Sequence, residues 1–121
     1  MSQWTETTTL GDMLLRTAER RAEHEALVFP HARYTYEDVG SRAISAARSL
    51  AALGVERGDK VGLLMPNCPD FVFAFFGIQL LGAVAVPLNT RYRARELAYV
   101  VENADLSVLL TSDIVDEEVD Y

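Results

Sequence analysis

The chain has 121 residues, 50% hydrophobic and 24% charged, which predicts one small globular unit and excludes an intrinsically disordered protein. Its formal net charge is −7, but the last nine residues hold five of the 18 acidic residues. The acidity therefore belongs largely to a tail, and it excludes a nucleic-acid-binding protein, which needs clustered Lys and Arg. Cys68 is the single cysteine, so an internal disulfide is excluded and a cytoplasmic protein is expected. No signal peptide or transmembrane segment is predicted.

The first half of the chain predicts two helices separated by a hairpin. Thr9 is positioned to cap the first helix, whose apolar stripe is predicted at Leu10, Met13, Leu14, Thr17 and Ala18. Residues 26–29 and 33–36 are typical of two short strands joined by a turn. Thr35, followed by Tyr36-Glu37-Asp38, predicts a second helix that ends at Gly54.

The stretch 60–89 predicts a β-α-β unit, in which VGLLM and AVAVP are buried parallel strands and 70–81 is the helix between them. A further helix ending at 103–105 and a strand at 107–110 follow. The predicted fold is α/β: a β-α-β-α-β parallel sheet core preceded by two helices and a short hairpin. Because helix 70–81 is apolar nearly all round, we expect it to need more chain than these 121 residues to cover it. A binding surface is expected beyond the strand ends, at 66–69 and 87–92.

Most signatures of catalytic chemistry are absent from the sequence. It contains no G-x-G-x-x-G and no complete P-loop, and its two histidines, His24 and His31, are interpreted as surface residues. Cys68 lies at a predicted helix start and is either a structural turn residue, the favoured interpretation, or a reactive thiol. The arginines of the loop after residue 89 are interpreted as a solvated basic loop in preference to an anion site. No catalytic, cofactor-binding or metal-ligating residue is predicted.

Several ordered segments resemble the N-terminal portion of the adenylate-forming (AMP-binding) superfamily, which includes the acyl-CoA synthetases. YTYEDV at 34–39 is similar to the family's first core motif and LLGAVAVPLN at 80–89 to its second, and the resemblance covers roughly residues 8–112. LLMPNCPDF and GAVAVPLNTRY are most similar to bacterial fatty-acyl-CoA synthetases. The resemblance thus implies that residues 1–121 are a partial N-terminal domain that ends before the phosphate loop, with 113–121 as an acidic tail or the start of the next segment.

The resemblance implies that the whole enzyme joins a fatty or other carboxylic acid to AMP and then to coenzyme A. ATP, magnesium and coenzyme A are cofactors of that enzyme, whereas the present chain holds none and is expected to be an inactive scaffold. Its expected partner is the remainder of the enzyme, and no nucleic acid. The substrate-side loops are expected to present Asn67, Asn89, Thr90, Arg91 and Tyr92.

Two positions depart from the family pattern. Arg93 stands where a helix-capping Thr or Ser is common, a change expected to cost about 1 kcal/mol. The acidic residues after 112 replace arginines that meet the coenzyme in some relatives, so coenzyme contact there is not expected. Two alternatives remain: a free-standing α/β interaction module that self-associates through exposed apolar surface, and a small nucleotide-binding domain.

Overall fold

The computed structural model describes residues 9–111, which form four helices and five strands. In chain order these are α1 (Leu10–Arg20), β1 (Glu25–Phe29), β2 (Ala32–Thr35), α2 (Tyr36–Ala52), β3 (Lys60–Leu64), α3 (Pro69–Leu80), β4 (Val84–Pro87), α4 (Ala94–Ala104) and β5 (Val108–Thr111). The predicted α/β order is therefore confirmed, and the last strand begins one residue later than expected. The predicted acidic tail, 113–121, lies outside the described residues.

Helix α1 begins as predicted, but its buried face differs in part from the predicted stripe. The Thr9 hydroxyl accepts a hydrogen bond from the Asp12 backbone N–H at 3.0 Å. The expected stripe is wrong in part, because Leu10 and Met13 remain 48% and 49% exposed. The buried residues of the helix are Gly11 and Leu14. A Cβ on Gly11 would lie 2.8 Å from Leu80 Cδ2, so the glycine is what allows α1 to approach α3 closely.

Strands β1 and β2 pair antiparallel as the predicted hairpin, and helix α2 follows immediately. Helix α2 opens with a complete capping box, in which the Asp38 N–H donates to the Thr35 hydroxyl and the Asp38 carboxylate accepts from the Thr35 N–H. Gly54 follows the helix with φ +94°, a conformation that favours glycine. The start and end of this helix are thus set by local sequence, as predicted.

The three strands of the larger sheet are parallel and lie in the order β4-β3-β5. One face of this sheet packs against α3, and the cluster there includes Val61, Leu63 and Ile78, all fully buried. Helix α2 lies against α3 at Gly77, where a Cβ would come within 2.7 Å of Ala46 Cβ and 3.0 Å of the Ala47 nitrogen. The sheet, α2 and α1 together leave only Asp70 of α3 exposed. Seven of its residues, including Phe71, Phe75 and Phe76, are only half-buried, so the expectation that α3 needs additional chain to cover it stays a prediction.

The opposite face of the sheet is the incompletely covered one. The strand order reverses direction at β3, so right-handed connections place α4 on the face away from α3. Gly62 and Leu64 are buried on this face, but Val84 is 46% and Leu109 39% exposed. No residue of α4 is buried. Part of the apolar surface that residues 9–111 leave open therefore lies on the second sheet face.

Candidate functional site

The loops that follow β3 and β4 lie side by side at the carboxyl edge of the sheet. Leu63 of β3 is in register with Pro87 of β4, and the Leu88 N–H donates to the Leu63 carbonyl at 2.8 Å. The two loops lead to helices on opposite faces. This arrangement is the topological switch point at which parallel α/β sheets commonly bind ligands.

The loop after β3 is short and tightly held. Cys68 is the N-cap of α3, makes no side-chain cap hydrogen bond and is 7% exposed, and its carbonyl accepts from the Phe71 N–H at 3.1 Å. Pro69 occupies the first helical position, where the missing N–H has no cost. Asn67 is exposed. The burial of Cys68 favours a structural role over a reactive thiol, which needs access to its substrate.

The loop after β4 is shaped by Asn89. Its side-chain oxygen accepts from the Arg91 N–H at 2.9 Å, and its backbone carbonyl accepts from the Tyr92 N–H at 3.0 Å. This is an Asx-type turn, in which an asparagine side chain replaces a backbone acceptor. Thr90 and Tyr92 are half-buried and Arg91 is exposed. The Asn89 amide oxygen is thus already used to set the course of the loop.

Helix α4 begins with half of a capping box. The Glu96 carboxylate accepts from the Arg93 N–H at 2.9 Å, but an arginine side chain has no acceptor with which to complete the box. The missing cap predicted at Arg93 is confirmed, and Glu96 partly compensates for it. Arg93 and Arg95 lie where the helix dipole disfavours cations.

An open groove of about 430 Å³ runs beside the start of α4, lined by Tyr92, Arg95, Glu96, Tyr99 and Val100. Of the five residues predicted for the substrate side, only Tyr92 lines this groove. Asn67 belongs to the β3 loop, while Asn89, Thr90 and Arg91 form the turn before the groove. Sequence reasoning missed Tyr99 and Val100 as groove residues, because Tyr92 lies before the first residue of α4 and helical spacing does not relate it to them.

The charged side chains of the loop after β4 and the start of α4 are Arg91, Arg93, Arg95 and Glu96, all of them exposed. Hydrogen bonds from Thr35 lower the pKa of Asp38, which lies at the start of α2 and belongs to neither loop. No group of three potential metal ligands is brought together in that range. Nor does any helix of the described part have the length and apolar character needed to cross a membrane. The edge therefore offers backbone and side-chain donors and cations, but no paired acid and base.

Comparison with known proteins shows which protein family the chain resembles. Residues 14–120 match the family of AMP-binding enzymes. The chain is 37% identical over 103 residues to the acyl-CoA ligase sidI of Aspergillus fumigatus, covering 84% of this chain and 18% of that protein. It is 32% identical over 107 residues to the long-chain-fatty-acid–CoA ligase of Bacillus subtilis, covering 88% of this chain and 19% of that enzyme.

A solved structure agrees with these sequence relatives. The N-terminal domain of FACL13 from Mycobacterium tuberculosis superposes with a TM-score of 0.84 and 37% identity, over 87% of this chain and 27% of that domain. The present chain thus spans about a fifth of the curated relatives it matches and about a quarter of this solved domain. By family match, fold and identity, the chain belongs to the AMP-binding enzymes and corresponds to part of the N-terminal domain of acyl-CoA ligases.

Proposed function

We propose that this chain contributes part of the large N-terminal domain of an ATP-dependent acyl-CoA synthetase that uses fatty acids. The whole enzyme activates the acid as an acyl-adenylate with release of pyrophosphate and then transfers the acyl group to the thiol of coenzyme A. The observation that carries the proposal is the agreement of fold and sequence over nearly the whole described chain with the FACL13 N-terminal domain. The likeness to a long-chain-fatty-acid–CoA ligase supports the choice of acid.

The role of this chain in that enzyme is structural and positional. The buried strand β3 and its partner β4 form a rigid base, on which Asn67, Asn89, Thr90, Arg91 and Tyr92 stand at the switch point. Asn89 acts through the turn it forms, whereas Tyr92 presents its ring to the groove. ATP, magnesium and coenzyme A are bound by the remainder of the enzyme, so the chain alone is catalytically inactive.

The remainder of the enzyme is the expected partner of this chain. Val84 and Leu109 stay 46% and 39% exposed on the second sheet face. Apolar side chains grouped on one face are typical of a surface that another element covers. The free-standing interaction module is the less favoured alternative, because the fold and the family match both correspond to a domain of a larger enzyme.

A chimera tests this proposal. Residues 14–111 replace the corresponding segment of the Bacillus subtilis ligase, and acyl-CoA formation is followed with Mg-ATP, coenzyme A and fatty acids. We expect the chimera to be active and the 121-residue chain alone to release no pyrophosphate. A soluble, folded chimera without activity contradicts the scaffold role, and turnover by the purified chain contradicts its inactivity. A chimera carrying Asn89→Ala is the matched control, because it alters the turn and leaves the sheet intact.

A further inference from the structure

The outward face of helix α4 carries opposite charges at its two ends. Arg95 lies in the first turn and Glu102 in the last, and both side chains are exposed. Tyr99 lies midway between them and is 68% exposed. The half-buried side chains of Leu97 and Val101 lie on the opposite side of the helix. The rest of residues 9–111 therefore leaves the centre of the outward face uncovered.

The charges on this face are not arranged for pairing within one helix. Ion pairs along a helix join residues three or four positions apart, whereas Arg95 and Glu102 are separated by about 10 Å along the axis. Neither has an oppositely charged residue three or four positions away. Both also oppose the helix dipole, which favours acidic residues in the first turn and basic residues in the last. A single α4 therefore gains little from either charge.

An antiparallel second copy of α4 compensates for both disadvantages. At 3.6 residues per turn, Arg95 and Glu102 lie on the same side of Tyr99 around the helix axis. A twofold axis at Tyr99 therefore sets Arg95 of each copy beside Glu102 of the other. It also sets each basic helix start beside the negative end of the other helix dipole. Glu96, on the other side of Tyr99, faces the Asn103 amide of the second copy, so no carboxylate meets a carboxylate.

We propose that two copies of this chain associate through antiparallel α4 helices, with Tyr99 at the twofold axis. The contact is isologous, because the same surface serves both copies. The groove of about 430 Å³ beside Tyr99, whose lining includes Tyr92 and Val100, offers an apolar surface to the Tyr99 ring of the second copy. The inference concerns contact between two chains and does not depend on the proposed function.

The size of the contact sets its expected strength. Helix α4 has 11 residues, and its outward face alone offers less area than the roughly 800 Å² per partner of a standard stable interface. We therefore expect a weak, reversible dimer with a dissociation constant on the order of 0.1 mM. The exposed ion pairs are screened by salt, so the dimer is expected to weaken at high ionic strength.

Sedimentation equilibrium of the 121-residue chain, at about 10 to 500 μM, tests the association. Arg95→Glu and Glu102→Arg each set like charges opposite one another at two places and are expected to weaken the dimer about tenfold. Circular dichroism checks that each variant stays folded. Arg16→Glu makes the same charge change on the exposed side of α1 and is the matched control, expected to leave the association unchanged. An original chain that stays monomeric throughout, or a dimer that either α4 variant leaves unchanged, overturns the proposal.

An equimolar mixture of the two α4 variants tests the antiparallel geometry. In a mixed pair the introduced carboxylate at position 95 faces the introduced guanidinium at position 102, and the original Arg95 faces the original Glu102. We expect the mixture to associate about as tightly as the original chain, and each variant alone to stay mostly monomeric. A mixture no tighter than its components contradicts the antiparallel pairing. Val84→Asp is expected to leave the dimer intact, and its loss in that variant shows that the open sheet face is the interface instead.

Discussion

The two faces of the three-stranded sheet differ sharply in how completely this chain covers them. On the α3 face Val61, Leu63 and Ile78 are fully buried, and a second layer of helix packs behind α3. On the α4 face Leu109 is 39% exposed and α4 contributes no buried residue. The described residues thus bury the centre of the α3 face almost completely, whereas they leave the α4 face partly open.

Truncation of one leucine on each face is expected to give the largest difference in the free energy of unfolding. Leu63→Ala removes a fully buried side chain and is expected to lower the free energy of unfolding by about 2–5 kcal/mol. Leu109→Ala removes a side chain that is already 39% exposed, with an expected cost of about 1 kcal/mol or less. Urea unfolding measures both. Equal losses contradict the view that the α4 face is only partly packed.

Gly77 of α3 and Gly62 of β3 allow a second comparison of the two faces. A Cβ added at either glycine would lie 2.7 Å from its nearest atom. At Gly77 backbone atoms of α2 lie close behind, at 3.0 Å and 3.1 Å, so Gly77→Ala must separate α2 from α3 and is expected to cost about 1–3 kcal/mol. At Gly62 the near atoms are the ends of the Leu106 and Leu109 side chains, which can rotate away.

Gly62→Ala is therefore the matched control and is expected to cost clearly less than Gly77→Ala. Thermal unfolding of both variants, followed by circular dichroism, makes the comparison. If Gly62→Ala destabilises the chain as much as Gly77→Ala does, the α4 face is as rigid as the α3 face.

Variants at the starts of α2 and α4 are expected to show a smaller difference in stability. Thr35→Ala removes half of the α2 capping box and is expected to cost about 1 kcal/mol. Arg93→Ala removes no cap acceptor from α4, and the Glu96 bond to the backbone N–H remains, so it is expected to change stability by no more than about 0.5 kcal/mol. Chemical denaturation compares the two. A larger loss for Arg93→Ala contradicts the view of α4 as a half-capped helix.

The smallest expected effect is a pH dependence confined to the α2 start. Hydrogen bonds from the Thr35 backbone and then its side chain lower the pKa of Asp38, and the charge of Arg42 adds to the shift. Because the folded pKa is lower than the unfolded one, the carboxylate stabilises the fold above the ordinary aspartate pKa. This contribution declines as the pH falls through that value and then through the folded pKa.

Asp38→Asn tests that dependence. The difference in urea midpoint between the original chain and this variant is expected to be larger at about pH 7 than at about pH 2.5. Glu37→Asn, at the neighbouring exposed position, is the control. A difference that stays constant with pH shows that the Asp38 charge contributes nothing to the cap.

Much of the fold could be predicted because its signals are local. The cap at Thr35, the stop at Gly54 and the strand VGLLM each follow from a few adjacent residues. The buried face of α1 could not be predicted from hydrophobicity, because it includes Gly11, whose lack of a side chain allows α1 to approach Leu80 closely. The close approach of α2 to α3 could not be predicted either, because it depends on Gly77 of α3 meeting Ala46 and Ala47 of α2.

The candidate site was predictable in place but not in detail. The switch point follows from the β-α-β order, and the structure brings the loops after β3 and β4 together there. The engagement of the Asn89 side chain in a turn, and the groove along α4, depend on backbone geometry that residue types do not specify. The assignment of Asn67, Asn89, Thr90, Arg91 and Tyr92 to a substrate side stays a prediction.

The position of β3 at the centre of its sheet has a consequence for the order of assembly. Both of its neighbours, β4 and β5, follow it in the chain, so during synthesis the central strand emerges before either hydrogen-bonding partner exists. The backbone N–H and C=O groups on its two edges can form their sheet hydrogen bonds only after Pro87 and then Thr111 have left the ribosome. Until then β3 is an apolar strand with two open edges and is the segment of this domain most exposed to wrong pairing, because early packing of α3 against it protects only one of its faces.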